Sequence, residues 1–171
     1  MIRKGKSLLG VALLAGAAII TASPAHANVI SNFATVFDSD WTTAGTGGLR
    51  DGTGTITVSG VSGSVGQSML FWQGPTNTTN ADVMANITIN GNAVTGTNIG
   101  FSDDNFWSFQ NGQAYRADTS AQINGNGAYT LAGFNTANST GNGAAAAVFF
   151  NDGDSTNNRD IVIFNGNDSN F

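Results

Sequence analysis

The stretch VMANITINGNAV, Val83 to Val94, sets the period by which the rest of the chain can be read. Val83, Ala85, Ile87 and Ile89 alternate with Met84, Asn86 and Thr88, so an extended backbone gives them one apolar and one mainly polar face. Asn90 and Gly91 follow at once, and both adopt positive φ at low cost. A type I′ turn therefore folds the strand back into Ala93 and Val94 as a β-hairpin.

The same grammar extends outward. Gly, Asn, Thr, Ser and Ala dominate, Glu is absent, and Lys occurs only at positions 4 and 6, so helical propensity is weak almost everywhere. Short apolar runs bounded by Asn/Gly/Asp clusters predict strands near 29–37, 54–59, 65–73, 83–90, 93–100, 105–110, 113–117, 127–134, 144–151 and 159–164. The expected fold is all-β, an antiparallel two-sheet sandwich. Ala144–Phe150 is apolar without a break and reads as a central strand covered on both sides. A buried helix is the other reading of such a run, but Gly141, Gly143 and the Asp/Gly cluster after Phe150 bracket too few residues for one. Asp118–Ile123 suits a single helical turn. Trp41, Phe71, Trp72, Phe101, Phe106, Trp107, Phe109, Phe134, Phe149, Phe150 and Phe164 supply the large apolar area, and most are expected between the sheets. The competing role, a sugar-stacking platform, suits one or two of them.

The amino terminus has the form of an export signal: Arg3, Lys4 and Lys6, an apolar run from Leu8 to Ile20, then Ala25-His26-Ala27 before Asn28. Cleavage after Ala27 makes residues 1–27 a signal peptide and 28–171 a single domain. The alternative, a retained anchor, needs about 20 apolar residues, more than this run provides. Beyond Ala27 there is no Cys, His, Lys or Glu, and eleven Asp face Arg50, Arg116 and Arg159 for a formal charge of −8. Such a surface does not displace counterions from phosphates, so nucleic acid is not an expected partner, nor is an anionic membrane after cleavage. General acid–base chemistry near neutrality relies on His or a tuned Glu or Lys, and Ser or Thr nucleophiles need such a base beside them. The chain is thus read as non-enzymatic. A paired-Asp hydrolase is the surviving alternative, and the sequence nominates no pair for it.

Three segments resemble a module common in bacterial and archaeal surface and secreted proteins: SMLFWQGPTNTTNADVMANITINGNAVTG from Ser68, AYRADTSAQINGNGAYTLAGF from Ala114, and AAAAVFFNDGDSTNNRDIVIFNGNDSNF from Ala144. An aromatic strand, an Asn-Gly hairpin, a Tyr-x-Ala-Asp segment, a small-residue strand and a closing strand ending in Asn/Gly/Asp occur in the same order. The resemblance implies a jelly-roll-like β-sandwich used as an adhesive or structural unit outside the cell. It carries over no catalytic residue.

Two segments are candidate sites. The loop from Asn151 to Asp160 is the densest run of oxygen donors, and Asp152, Asp154 and Asp160 are the residues that would ligate calcium, which prefers carboxylate, amide and carbonyl oxygens. It is not an EF-hand, because Asn157 stands at position six and Ile163 at position twelve. The plainer reading is a hairpin whose Asp and Asn residues form Asx-turns and whose Arg159 pairs with a neighbouring Asp. Asp103, Asp104 and Asn105, and Asp38 with Asp40, are weaker donor groups. The second candidate begins at the cleavage point, where Val29, Ile30, Phe33, Val36 and Phe37 form an apolar extended end with no charge before Asp38. Such a segment either adds as a strand to a neighbouring copy or pairs within its own domain. The expected function is that of a secreted or cell-surface structural or adhesive protein that forms a homo-oligomer or polymer, a fibre or matrix subunit, with no required cofactor. The alternative is a calcium-dependent module binding carbohydrate or surface glycans.

Overall fold

The computed structural model describes residues 30–102 and 108–167. Ten strands are joined by turns: β1 (Ser31–Gly47), β2 (Thr53–Val58), β3 (Ser64–Thr76), β4 (Asn86–Ile89), β5 (Asn92–Thr95), β6 (Thr97–Ser102), β7 (Asn111–Asp118), β8 (Gly127–Ala132), β9 (Gly143–Asn151) and β10 (Arg159–Asn165). A 3-10 turn, Leu49–Asp51, links β1 to β2. One sheet has the order β10-β1-β9-β3-β7-β6 and the other β2-β8-β4-β5, with antiparallel pairing throughout. The expected all-β, two-sheet antiparallel architecture is present.

Alternation explains the four-stranded sheet. Ile56, Val58, Tyr129 and Leu131 are buried, while Thr53, Thr55, Thr57 and Thr130 face solvent. The hairpin at Asn90-Gly91 forms as its residues require: φ is 49° and 81°, and Ile89 lies opposite Asn92. The larger sheet turns Leu70, Trp72, Tyr115, Ala146 and Val148 towards the same core. Trp72 and Tyr115 stack with ring centroids 5.7 Å apart, and the Trp72 indole N–H donates to the Met84 carbonyl at 2.8 Å. The Met84 N–H donates to the Tyr115 hydroxyl at 3.3 Å.

These side-chain bonds explain two differences from the sequence reading. The strand expected at 83–90 starts only at Asn86, because the backbone of Met84 is held by Trp72 and Tyr115 instead of a ladder. The strand expected at 93–100 is two strands in different sheets, β5 and β6, with the crossing at Gly96. A Cβ at position 96 would run into the Trp72 ring, so the chain can pass there only as glycine. Asp118–Ile123 contains the expected single turn, closed by the Ile123 N–H on the Thr119 carbonyl at 2.8 Å. Ser108–Gln110 form no strand, and the rest of the strand expected at 105–110 lies outside the described residues.

The aromatic residues require a further correction. Of those expected between the sheets, Trp72 and Phe134 belong to the inter-sheet core. Phe149 and Phe150 are buried outside that cluster, Phe71, Phe101 and Phe109 are half-buried, and Trp41 and Phe164 are exposed. Phe106 and Trp107 lie outside the described residues. The inter-sheet core is mainly aliphatic, and much of the aromatic area has gone elsewhere.

It has gone to a third layer. β1 is expected to stop near residue 37 but continues to Gly47, and its two halves have different partners. Ser31–Ser39 pairs with β10, whereas Asp40–Gly47 pairs with β9. The change of partner occurs at a bulge between Val36 and Ser39, where Asp38 has φ 49°. The first half of β1 and β10 thus form a ribbon that lies across the outer face of the larger sheet. Phe33 stacks on the Arg116 guanidinium of β7, 3.4 Å from ring centre to Cζ, and the Asn167 amide donates to the Gly112 carbonyl at 3.0 Å. Met69 and Phe149, which point away from the inter-sheet core, are buried beneath it at 3% and 2% exposure.

Candidate functional site

The ribbon and the Asp loop adjoin, because the loop Asp152–Asn158 joins β9 to β10. The expected hairpin between those strands does not occur: both are antiparallel to β1 and neither pairs with the other. β9 and β10 lie along successive stretches of β1, and the loop spans the point where β1 bends.

Every large apolar side chain that is exposed among the described residues belongs to β1 or β10 or, like Ile30, directly precedes β1. Ile30 is 56% exposed, Phe33 38%, Phe37 70%, Trp41 54%, Val162 48% and Phe164 60%. Of the apolar end expected to associate, Ile30, Phe33 and Phe37 are in this group, Val36 is half-buried opposite Ile161, and Val29 lies outside the described residues. The ribbon does not seal against the sheet. Open cavities of about 570, 310 and 180 Å³ lie between them, lined on the ribbon side by Ile30 and Phe164, by Val36 and Phe37, and by Phe33 respectively. In the largest, Gly45, Ala114, Gly143 and Ala145 form a smooth floor, and the Asn165 amide nitrogen is buried with no hydrogen-bond partner.

In the loop, the carboxylates are engaged mainly by backbone. The Asp154 N–H donates to Asp152 Oδ1 at 2.9 Å, and Asp154 Oδ1 accepts from the N–H and hydroxyl of Thr156 at 3.0 and 2.6 Å. These are Asx-turns. The Asp154 N–H is the chief reason that the Asp152 carboxyl titrates below the usual carboxylate range, and the Thr156 hydroxyl and N–H do the same for Asp154. Asp160 serves the bend instead: its Oδ1 accepts from the Asp38 N–H at 3.0 Å, while the Asn158 amide donates to the Asp38 carbonyl and carboxylate at 3.1 and 3.0 Å. Asp152, Asp154 and Asp160 are not gathered together, and among the described residues no group of three or more His, Cys, Asp or Glu is placed to hold a metal ion. Arg159 donates to the carbonyls of Asn157 and Asn158 at 2.9 and 2.6 Å, and among the described residues it pairs with no aspartate.

The sequence reading gave Asp40 little weight, yet its carboxylate meets that of Asp152, and its Oδ2 is buried without a hydrogen-bond partner. Only its position beside the bend, two residues after Asp38, could have signalled this. Asp103, Asp104 and Asn105 lie outside the described residues.

A second polar cluster is internal. Gln113 is fully buried, and its Oε1 accepts from the Tyr115 hydroxyl at 2.6 Å and the Asn98 amide at 2.9 Å, while its amide reaches the Thr78 carbonyl at 3.0 Å. Burial raises the Tyr115 pKa above its ordinary value, against the contacts with the Met84 backbone and Asn98, which lower it. Every polar atom of Gln113 is satisfied, which makes this a structural network tying β3, β6 and β7 together. Among the described residues no helix is long and apolar enough to cross a membrane. Comparison with protein families, with curated proteins and with solved structures finds no match to this chain.

Proposed function

We propose that this chain is a secreted, non-enzymatic structural or adhesive protein of the cell surface or extracellular matrix, exported through residues 1–27, whose copies associate through the β1–β10 ribbon. The observation that carries the reading is the placement of exposed apolar residues. A solvated surface normally scatters them, whereas here five of the six sit on the two-stranded ribbon or directly precede it, beside the open edge of β10, and the sixth, Trp41, lies just past the bend of β1. The jelly-roll reading draws support from strand order: β1-β9-β3-β7 facing β2-β8-β4-β5 is the arrangement two interlocked Greek keys produce. The non-enzymatic reading continues to rest on composition, since the residues beyond Ala27 offer no His, Lys, Glu or Cys.

Electron microscopy of the protein purified after export tests this. Filaments or sheets are expected, and they should give way to separate particles in a Phe37→Lys/Val162→Lys variant that retains its melting temperature. Separate particles from the unaltered protein at all concentrations would overturn the reading.

One observation favours a second reading, a calcium-dependent binding module for surface glycans. The Asp40 carboxylate meets that of Asp152 and its Oδ2 is buried without a hydrogen-bond partner, which leaves an oxygen donor for a cation. A melting scan with calcium and with chelator decides it: equal transitions remove the metal.

A further inference from the structure

β1 is one strand serving two ladders, and the bend between them has a particular construction. Asp38 is a non-glycine residue at φ 49°, held there by Asp160 and Asn158 through three hydrogen bonds. L-residues reach that conformation only at a cost, which an extended hinge would release. On one side of the hinge, Asp40–Gly47 is paired with β9 along its whole length. On the other, Ile30–Phe37 rests on a seat with three open cavities, held by β10 and by the Phe33–Arg116 stack.

We infer that copies of this chain associate by strand exchange: Ile30–Phe37 swings out about Asp38 and pairs with β10 of a second copy, in the register it has within its own chain. This rests on the reading that the protein associates with itself. Departure of the segment uncovers Met69 and Phe149 and leaves the β10 edge unpaired. An identical segment from another copy restores each of those contacts, because it carries the same register shift between Asn32 and Ala34 and the same alternation of Ala34 and Val36 opposite Ile163 and Ile161. Exchange therefore conserves the ladder, relaxes the hinge, and leaves concentration to decide the outcome. Donation in a head-to-tail sense does not close and generates a polymer, whereas reciprocal donation stops at a dimer.

The chain has no cysteine, so an engineered pair reports without interference. Thr35 and Val162 lie directly opposite each other in the ladder. A Thr35→Cys protein and a Val162→Cys protein, mixed under assembly conditions and then oxidised, are expected to give mixed disulfide-linked chains as the main product on a non-reducing gel. In the Thr35→Cys/Val162→Cys variant, oxidation as dilute monomer closes the bond within one chain. Assembly should then fall at least tenfold and return with reductant. If the mixed proteins assemble without a bond between chains, or the pinned monomer still assembles, exchange is wrong while self-association stands. If the unaltered protein does not assemble at all, both fall.

Discussion

The space between the sheets and the space under the ribbon hold similar side chains in different ways. Between the sheets, Trp72, Leu70, Ile89 and Leu131 are buried to 2% exposure or less, and the Trp72 indole and Tyr115 hydroxyl have their hydrogen bonds. Under the ribbon, Phe33, Phe37 and Phe164 remain between 38% and 70% exposed beside open cavities, and the Asn165 amide lacks a partner. Dispersion and transfer energies reward close contact, so the first region carries most of the stability of the fold, and under the ribbon it is the sheet's own Met69 and Phe149, at 3% and 2% exposure, that add to it rather than the ribbon's exposed rings. Apolar area that is not spent on stability is free to be spent on another molecule.

The sharpest way to break this contrast is to damage the sealed side. Trp72→Ala removes a fully enclosed ring, its stack on Tyr115 and its bond to Met84, and is expected to cost about 3–5 kcal/mol in urea unfolding. Ribbon and sheets should be lost in one transition, since the ribbon has no core of its own. A loss below about 1 kcal/mol would mean that the inter-sheet space is not the main source of stability. Next in size is Tyr115→Phe, which keeps the ring stack and deletes one hydroxyl. Gln113 Oε1 and the Met84 N–H each lose a partner inside the core, for an expected cost of about 1–2 kcal/mol by the same measurement.

The loose side should respond differently. Arg116→Gln removes the cation stacked on Phe33, an interaction worth about 0.5–1 kcal/mol at a partly exposed site. Global unfolding should hardly move. Amide hydrogen exchange in Ile161–Phe164 should accelerate while exchange at Leu70, Tyr115 and Val148 stays slow, because the ribbon opens locally without the sheets. Uniform acceleration across both regions would erase the distinction.

Which parts were readable from sequence follows the same division. Short apolar runs bounded by Asn/Gly/Asp clusters located β2, β3, β7, β9 and β10, and Asn90-Gly91 located its turn, because those signals are local to each strand and its ends. Alternation says nothing about which edge a strand joins. The change of partner at Asp38 and the crossing at Gly96 were therefore invisible, each being decided by a contact distant in sequence: Asp160 for one, Trp72 for the other. The aromatic residues misled for a related reason. A two-layer sandwich leaves them nowhere to go but the core, and nothing in the composition announces a ribbon covering the outer face. The apolar end Ile30–Phe37 was visible as a strand, but its partner β10 was not. The donors of the Asp loop were visible one by one, whereas their division between Asx-turns and the Asp38 bend depends on where β1 turns.

The smallest expected effect comes from acid. Asp118 accepts from the Ser120 N–H and hydroxyl at 2.9 and 2.7 Å, and these bonds, with those to Asp152 and Asp154, hold the three carboxyls below their ordinary pKa. A carboxyl whose folded pKa is depressed binds its proton more readily unfolded. It therefore contributes stability at pH values above the unfolded pKa of about 3.9 and loses that contribution as pH falls through the folded value. Melting temperature should be flat from pH 7 to about 5 and decline below about 4, with Asp118→Asn removing part of the decline. Because these groups are exposed, the decline should be shallow and weaker in salt. Asp152 and Asp154 adjoin the bend of β1, so protonation should also loosen the ribbon before the sheets. Exchange in Ile161–Phe164 should rise at a pH where the inter-sheet amides are still protected, and simultaneous loss would place the loop's stabilising bonds in the service of the whole fold instead of the bend.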